Sequence, residues 1–285
     1  MNLTNISTVK DLLNRHGFSF SKGLGQNFLI NPSVCPKIAE MGNANQDFGI
    51  IEIGTGFGTL TAELARRAKK VVAIEIDSRL IPVLDETLAE FDNIKIINQD
   101  FMETDLNKII SEEFFGMKVA VCANLPYYIT SPVIMKLLES RVPIESITVM
   151  VQKEAGQRLC AEVGTRESGA ITVAVNYYGT AKMLFNVSRG SFMPAPNVDS
   201  CVIRIDVNKN YLLEKNAEDF FFKIVKCGFA QRRKTIAKSI SSQMNISKPE
   251  IQNILKSMSL SETARTEQLN MNQLIQLSEN LRNII

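Results

Sequence analysis

The chain has 285 residues, of which 45% are hydrophobic and 22% are charged, and its formal net charge is +2. This balance is typical of a folded globular protein and excludes an intrinsically disordered one. The length fits one main domain with a small additional domain, and so small a net charge does not by itself indicate a nucleic-acid partner.

Cysteine and histidine usage argues against a disulfide framework and against a metal site. The five cysteines are scattered without a Cys-x-x-Cys pair, and His16 is the only histidine. The first residues lack the apolar core of a signal peptide, and no stretch approaches the roughly 20 apolar residues that span a bilayer. We therefore expect a cytoplasmic protein with no metal ion and no membrane contact, and nothing in the chain requires more than a monomer.

Short apolar runs that alternate with helix-like segments predict a parallel β-sheet. Seven runs are strand candidates: residues 49–53, 70–75, 94–98, 117–123, 146–151, 170–178 and 200–207. The first four are each followed by a segment with helical spacing of apolar residues, for example 59–68 and 131–139. This alternation is the signature of βαβ units, so we predict an α/β, Rossmann-like fold with a seven-stranded, mainly parallel sheet.

After residue 207 the pattern changes to helices alone. A polar, linker-like stretch at residues 208–219 leads into four helix candidates: residues 217–227, 233–244, 248–257 and 271–284. Pro249 is compatible with a helix start. We predict a main domain over residues 1–207, with an N-terminal segment at 1–46, and a small helical domain over residues 208–285.

Two runs of basic residues stand out locally although the net charge is small. The runs contain Arg66, Arg67, Lys69 and Lys70, and Arg232, Arg233, Lys234 and Lys238. A basic run taken alone is more often a solvated helix face than a nucleic-acid contact, so charge does not decide the function.

A glycine-rich turn directly follows the first predicted strand of the sheet. Gly54, Gly56 and Gly58 precede a predicted helix, where glycine lets the backbone turn tightly and lets a ligand approach. The next strand ends at Glu75, where an acid can accept both hydroxyls of a ribose. The third strand ends near Asp100, which can accept a hydrogen bond from an adenine amino group at the same edge of the sheet. Together they predict a nucleoside-bearing cofactor.

Simpler explanations exist for each of these residues. A glycine turn also serves close packing, and an aspartate also caps a helix. A nicotinamide dinucleotide prefers Gly-x-Gly-x-x-Gly, whose third glycine falls one position after Gly58. S-adenosylmethionine has no pyrophosphate to bind, so the helix N-terminus need only meet its methionine portion. Three positions in register favour the cofactor interpretation.

The turn Asn124-Leu125-Pro126-Tyr127, at the end of the fourth predicted strand, is the most specific signal in the chain. The amine of adenine is a poor nucleophile because its lone pair is delocalised into the ring. The side-chain oxygen of Asn124 and the carbonyl of Leu125 can accept its two N–H bonds, Tyr127 can stack on the base, and Pro126 stiffens the turn. No strong general base is needed, since a sulfonium is an excellent leaving group. The turn predicts methylation of the amine of a base that has left its stack, with an ordinary Asn-x-Pro turn as the alternative.

Together with this turn, three blocks resemble the KsgA family of ribosomal RNA adenine dimethyltransferases, over nearly the whole chain. They are residues 22–29 (KGLGQNFL), 192–200 (FMPAPNVDS) and 228–236 (GFAQRRKTI). Ile236 stands where the family usually has leucine. The resemblance implies a class I methyltransferase fold. It also implies transfer of methyl groups from S-adenosylmethionine to N6 of two adjacent adenines near the 3′ end of 16S rRNA, in the immature 30S subunit.

The resemblance also assigns individual residues. It implies cofactor contacts at six positions: Asn27, Leu29, Gly54, Glu75, Asp100 and Asn124. It implies that Phe192 closes over the flipped adenine opposite Tyr127, although a phenylalanine before two prolines also suits a loop packed on the core. Arg232, Arg233 and Lys234 are implied to contact RNA phosphates, which position the RNA without reading its sequence.

Two other functions are compatible with parts of the sequence. A related family methylates a single adenine of large-subunit ribosomal RNA and confers macrolide resistance, but it typically has isoleucine where this chain has Leu125. The other is a non-enzymatic role, as an assembly factor or a transcription-factor relative. The block at 198–200 and the second basic run favour the small-subunit enzyme, and the intact turn at 124–127 favours catalysis.

Overall fold

The structure, a computed structural model, describes residues 1–18 and 25–284. They group into two compact units, Met1–Gly156 with Ala181–Val207 and Gln157–Thr180 with Asn208–Ile285. The boundary after residue 207 in this grouping coincides with the domain boundary predicted from the sequence. The second unit also contains residues 157–180, which the sequence assigns to the main domain.

Among the described residues, a seven-stranded sheet forms the framework of the first unit, in the order β4-β3-β2-β5-β6-β9-β7. Its strands are β2 (Phe48–Ile53), β3 (Lys70–Glu75), β4 (Ile94–Asn98), β5 (Lys118–Asn124), β6 (Ile144–Gln152), β7 (Gly179–Val187) and β9 (Ser200–Val207). The neighbours from β4 to β6 are parallel, whereas β9 is antiparallel to β6. The predicted α/β class is confirmed. Along the chain, strands are added on one side of β2 as far as β4, and then on its other side from β5 onward. Open α/β sheets bind ligands where the strand order changes direction in this way.

Helices connect these strands in the first unit. They are α1 (Ile6–Arg15), α2 (Val34–Met41), α3 (Thr59–Ala65), α4 (Ile81–Thr87), α5 (Leu106–Glu113) and α6 (Thr130–Glu139). The start of α5 is fixed by Asp105, whose side chain accepts a hydrogen bond from the backbone N–H of Lys108. The helical segments predicted at 59–68 and 131–139 correspond to α3 and α6.

The central strands are buried on both faces, which explains their unbroken apolar sequences. Ile50 and Ile51 of β2 and Val71, Val72 and Ala73 of β3 have no exposed surface. Burial of each valine or isoleucine side chain contributes about 1.5–3 kcal/mol, so this region anchors the residues at the strand ends. The site described below lies at the carboxyl ends of these strands.

A small second sheet was not predicted. Strand β1 (Phe28–Leu29) pairs antiparallel with β8 (Phe192–Met193), with Leu29 opposite Phe192. Two-residue strands carry no periodicity that a sequence pattern can reveal. The pairing joins the N-terminal segment to the segment that precedes β9.

The strand predicted at residues 170–178 is wrong, because these residues form helix α8 (Ala170–Tyr178). β-branched and aromatic residues suggested a strand. The helix is instead buried on nearly all sides, with Thr172, Val173, Ala174, Val175, Tyr177 and Tyr178 buried, so tertiary packing outweighs the local strand propensity. The seventh strand of the sheet is β7, which begins directly after the helix at Gly179.

The second unit is helical, as predicted for the C-terminal region. Its C-terminal helices are α9 (Lys215–Phe229), α10 (Ile236–Ser241), α11 (Lys248–Ser257) and α12 (Met271–Arg282), and α7 (Lys153–Leu159) precedes α8. Ser247 and Glu250 form a capping box that fixes the start of α11. No helix within the described ranges has the length and apolarity needed to cross a membrane.

Candidate active site

The turn after β2 has a backbone conformation that glycine adopts readily and other residues avoid. Gly54, Gly56 and Gly58 have φ values of 74°, 56° and 85°, in the left-handed region. At Gly54, no heavy atom lies within 4 Å of the position that a β-carbon would take. The turn is therefore tightly wound and open to a ligand at Gly54.

Glu75, at the end of β3, is bound to this turn. Its Oε2 accepts hydrogen bonds from the backbone N–H of Thr55 at 2.9 Å, the Thr55 hydroxyl at 2.9 Å and the N–H of Gly56 at 3.3 Å. Its Oε1 accepts one from the N–H of Asp77 at 2.9 Å, and the residue is 4% exposed. The acid expected to meet a ribose also fixes the shape of the glycine turn, and Oε1 retains a lone pair for a ligand hydroxyl.

A cavity of about 210 Å³ opens at the carboxyl ends of the strands. It brings together nearly all the residues that the sequence predicts for the site: Asn27, Leu29, Gly54, Glu75, Asp100, Asn124, Leu125, Pro126 and Tyr127. These residues come from four separate strand ends and from the N-terminal segment. Phe192 is not among the residues that line the cavity.

Apolar residues that the sequence did not single out form part of the cavity wall. Ile76 and Met102 line it and are 50% and 38% exposed, and Phe101 lies beside Met102. Asp100 begins the short 3-10 turn that carries Phe101 and Met102, since its Oδ1 accepts a hydrogen bond from the N–H of Met102 at 2.8 Å. An exposed aliphatic residue directly after Glu75 suits the face of a purine ring, but the sequence alone does not show its exposure.

Glu52 is a buried acid at the same cavity. It has no exposed surface, and neither carboxyl oxygen has a hydrogen-bond partner among the described residues. Burial raises the pKa of this carboxyl group well above its ordinary value; the nearby Thr61 hydroxyl opposes this shift, and the Glu75 charge adds to it. A buried carboxyl group without a partner, on the wall of a cavity, is suited to a ligand that donates hydrogen bonds.

Asn124, the last residue of β5, is oriented by the N-terminal segment. Its side-chain Nδ2 donates to the backbone carbonyl of Asn27 at 3.4 Å, which leaves Oδ1 as the acceptor available to a substrate. The following turn is closed by a hydrogen bond from the N–H of Ile129 to the carbonyl of Pro126 at 3.2 Å. Leu125 is buried, with its N–H bound to the carbonyl of Met150 at 3.2 Å.

Tyr127 is held by a residue of the antiparallel strand β9. Its hydroxyl lies 2.8 Å from the Oγ of Ser200, the first residue of β9, which has no exposed surface. Burial raises the pKa of the Tyr127 phenol above its ordinary value, so the hydroxyl stays protonated at neutral pH. The sequence predicted Tyr127 but not Ser200, because their contact joins distant parts of the chain.

Phe192 lies in the hydrophobic core. It is 4% exposed and packs in a cluster with Leu29, Val34, Val187 and Val202. The alternative considered from sequence, a phenylalanine packed on the core, describes this position. Its stacking on an adenine stays a prediction and requires the side chain to leave this cluster.

The N-terminal block lies partly outside the described residues, since Lys22, Gly23 and Leu24 are among those not described. The side-chain Nε2 of Gln26 donates to Asp77 Oδ2 at 2.8 Å. Arg79 binds the same carboxylate and holds the pKa of Asp77 below its ordinary value. These contacts attach the described part of the block to the end of β3, beside Glu75.

The two basic runs differ in their surroundings. Arg66 and Arg67 pair with Glu63, and Lys70 pairs with Glu113, as expected for a solvated protein surface. In the second run, Arg233 and Lys234 are exposed.

Arg232 makes structural contacts. Its Nη2 donates to the backbone carbonyls of Arg166 at 2.9 Å and Ser168 at 3.2 Å, so this guanidinium fixes the loop before α8. Arg232 is itself exposed, so its predicted contact with an RNA phosphate stays a prediction beside this structural role.

The fold and the cavity define a Rossmann-like methyltransferase. Comparison with known proteins identifies the family: the chain belongs to the ribosomal RNA adenine dimethylases, whose family model matches residues 17–282. It is 45% identical to a ribosomal RNA small subunit methyltransferase A of Geobacillus sp. (strain WCH70), over 97% of each chain.

Two solved structures are similar over most of the chain. A dimethyladenosine transferase from Plasmodium falciparum has a TM-score of 0.73 and 27% identity, covering 90% of this chain and 98% of that one. The 23S rRNA methyltransferase ErmE has a TM-score of 0.67 and 28% identity, covering 90% and 100%. A dimethyladenosine transferase and a 23S rRNA methyltransferase thus share this fold, so the fold alone does not identify the RNA substrate.

Proposed function

We propose that the protein transfers methyl groups from S-adenosylmethionine to N6 of two adjacent adenines near the 3′ end of 16S rRNA in immature 30S subunits. The observation that carries the proposal is the Asn124–Tyr127 turn on the wall of the same cavity as Glu75. The choice of the small subunit is supported by the 45% identity to a small-subunit methyltransferase over nearly the full length. Such a substrate places the reaction in the cytoplasm, and a single copy of the chain contains every residue invoked here.

The cavity fits S-adenosylmethionine. Glu75 Oε1 would accept a ribose hydroxyl, Ile76 and Met102 would contact the adenine ring, and Asp100 would accept its amino group. The methionine portion would lie against Gly54, with its ammonium near the buried carboxyl group of Glu52 on the cavity wall. The cofactor would supply a methyl group on a sulfonium, a strong leaving group.

The chain's own residues would position the adenine amine. One N–H of the amine would donate to Asn124 Oδ1, the acceptor left free by the bond between Asn124 Nδ2 and the Asn27 carbonyl. The second N–H would donate to the Leu125 carbonyl, and Tyr127 would stack on the base. Two fixed acceptors favour a pyramidal nitrogen whose lone pair points at the methyl group, so catalysis is positioning and electrostatics. The proton leaves after methyl transfer, and no strong base is required.

The second unit would bind RNA by charge. Arg233 and Lys234, between α9 and α10, are exposed and suited to phosphate contacts. Arg232 would act with them through the loop that it fixes. Contacts of this kind set the position of the RNA without reading its sequence, so selection of the adenines would depend on the shape of the particle and on the cavity.

The proposal is tested with purified protein, S-adenosylmethionine and 30S particles from a strain that lacks this protein. We expect mass spectrometry of the RNA to show dimethylation of two adjacent adenines near the 3′ end. Asn124→Ala lowers the rate at least about 100-fold, since it removes a positioned hydrogen-bonding group, while the particle still binds. Methylation of 23S rRNA in place of 16S rRNA contradicts the choice of subunit. An unchanged rate for Asn124→Ala removes this residue from the mechanism.

A further inference from the structure

Tyr128 carries an exposed aromatic ring at the mouth of the cavity. The ring is 58% exposed and lines the cavity beside Tyr127, whose own ring is half-buried and bound to Ser200. Within residues 1–18 and 25–284, the Tyr128 hydroxyl makes no hydrogen bond. The exposed aromatic ring of Tyr128 is therefore accessible to a partner at the cavity mouth.

The ring is also held in place. Tyr128 is the middle residue of a 3-10 turn, Tyr127–Ile129, closed by the bond from Ile129 to the Pro126 carbonyl. One side of the ring rests against Gly25, where an added β-carbon would lie 3.3 Å from Cδ1 and Cε1. A ring that is supported on one side and exposed on the other can accept a planar partner with little loss of conformational entropy.

We propose that Tyr128 stacks on the base of the nucleotide next to the target adenine. This inference rests on the proposed function and concerns the same site. When the adenine leaves its stack to enter the cavity, the adjacent base loses a stacking partner at the cavity mouth. Aromatic side chains replace such partners for any base, because every base has a π-face. Tyr127 then stacks on the target base, and Tyr128 stacks on the neighbouring base.

The first test compares Tyr128→Ala, Tyr128→Phe and Tyr128→Trp in methylation of undermethylated 30S particles. We expect Tyr128→Ala to lower kcat/KM for the particle by about 5- to 150-fold, the range that corresponds to about 1–3 kcal/mol per stacked base. Phenylalanine and tryptophan should retain activity within about threefold, because they keep the π-face. The affinity for S-adenosylmethionine, measured by calorimetry, should be the same in all four proteins.

Phe115→Ala provides a matched control. Phe115 is 90% exposed and lies just before β5, at the end opposite the cavity, so its removal should leave kcat/KM unchanged. A Tyr128→Ala protein that matches wild type within twofold overturns the proposal. A Tyr128→Phe protein as slow as Tyr128→Ala would also overturn it, because the effect would then come from the hydroxyl. The same holds if Tyr128→Ala weakens cofactor binding as much as it lowers kcat/KM.

The second test locates the stacked base. Particles are reconstituted with RNA in which the nucleotide on the 5′ side or the 3′ side of the adenine pair is abasic. If Tyr128 stacks on one of these bases, the loss caused by Tyr128→Ala disappears for methylation of the adenine that adjoins the abasic nucleotide, because that contact is already absent. Equal losses on both abasic RNAs and on normal RNA contradict stacking. If wild-type protein methylates 23S rRNA instead, the proposed function fails, and the same series on that RNA still tests Tyr128.

Discussion

At the scale of single residues, the hydrogen bond between Tyr127 and Ser200 links the turn at 124–127 to β9, the strand antiparallel to β6. The two residues are 73 positions apart, and the bond is 2.8 Å long. A tyrosine ring that must meet a base face to face needs a fixed orientation. We therefore expect Ser200 to act by positioning Tyr127 and not by touching the substrate.

We predict that Ser200→Ala and Tyr127→Phe each lower kcat about two- to tenfold, the effect of losing one net hydrogen bond. The double variant should be no slower than the slower single variant, because both changes remove the same interaction. Ser200→Thr keeps the hydroxyl and should restore most of the rate, and KM for the cofactor should not change. Effects that multiply in the double variant would show that the two hydroxyls act independently.

Glu75 has a dual role that gives a second prediction. Its Oε2 accepts three hydrogen bonds from the glycine turn, so Glu75→Gln places an amide against those donors or against the N–H of Asp77. We expect a loss of about 1–3 kcal/mol in the free energy of unfolding, from buried groups without partners, together with weaker cofactor binding. Denaturant unfolding and calorimetry measure the two effects. Glu112→Gln, at an exposed glutamate, is the control, and stability equal to the control would contradict the bracing role.

At the scale of elements, two glycines with the same backbone conformation separate the effect of backbone strain from the effect of ligand access. Gly54 and Gly116 have nearly the same φ, 74° and 73°, and neither has a heavy atom within 4 Å of an added β-carbon. Only Gly54 lines the cavity. Substitution by alanine therefore imposes the same backbone cost at both positions, and only one of them lies at the cavity.

We predict that Gly54→Ala and Gly116→Ala each lower the free energy of unfolding by about 1–2 kcal/mol, the cost of a left-handed conformation. Gly54→Ala should also weaken S-adenosylmethionine binding at least about tenfold, whereas Gly116→Ala should bind it like wild type. Chemical denaturation and calorimetry give the two quantities. Equal cofactor affinity in the two variants would mean that the cofactor does not approach Gly54.

The elements that were predictable from sequence are those whose signal is local. Apolar runs located six strands of the sheet, most clearly the central strands, which are buried on both faces. The run at 170–178 failed, since its aromatic and β-branched residues are buried by helix packing. Strands β1 and β8 are too short to leave a pattern. In the site, the ends of successive strands located Glu75, Asp100 and Asn124, whereas Ser200 and Ile76 depend on contacts and exposure that only the folded chain has.

At the scale of the whole molecule, the net charge of +2 is too small to attract RNA broadly, so affinity for RNA must come from local cations. In the first basic run, Arg66 and Arg67 pair with Glu63, and Lys70 pairs with Glu113. The residues of the second run differ in their contacts. Arg232 donates hydrogen bonds to backbone carbonyls of its own unit, whereas Arg233 and Lys234 are exposed. Three adjacent basic residues should therefore respond differently to removal.

We predict that Arg233→Ala and Lys234→Ala each reduce the slope of log K against log salt for particle binding by about 1, the effect of losing one phosphate contact, without changing stability. Arg232→Ala should instead lower the free energy of unfolding, because the carbonyls of Arg166 and Ser168 lose a charged donor, and should speed hydrogen exchange in the loop at 161–169. Binding titrations at several salt concentrations and hydrogen exchange separate the two classes. An Arg232→Ala protein with unchanged exchange and a slope reduced like that of Arg233→Ala would place all three cations on the RNA.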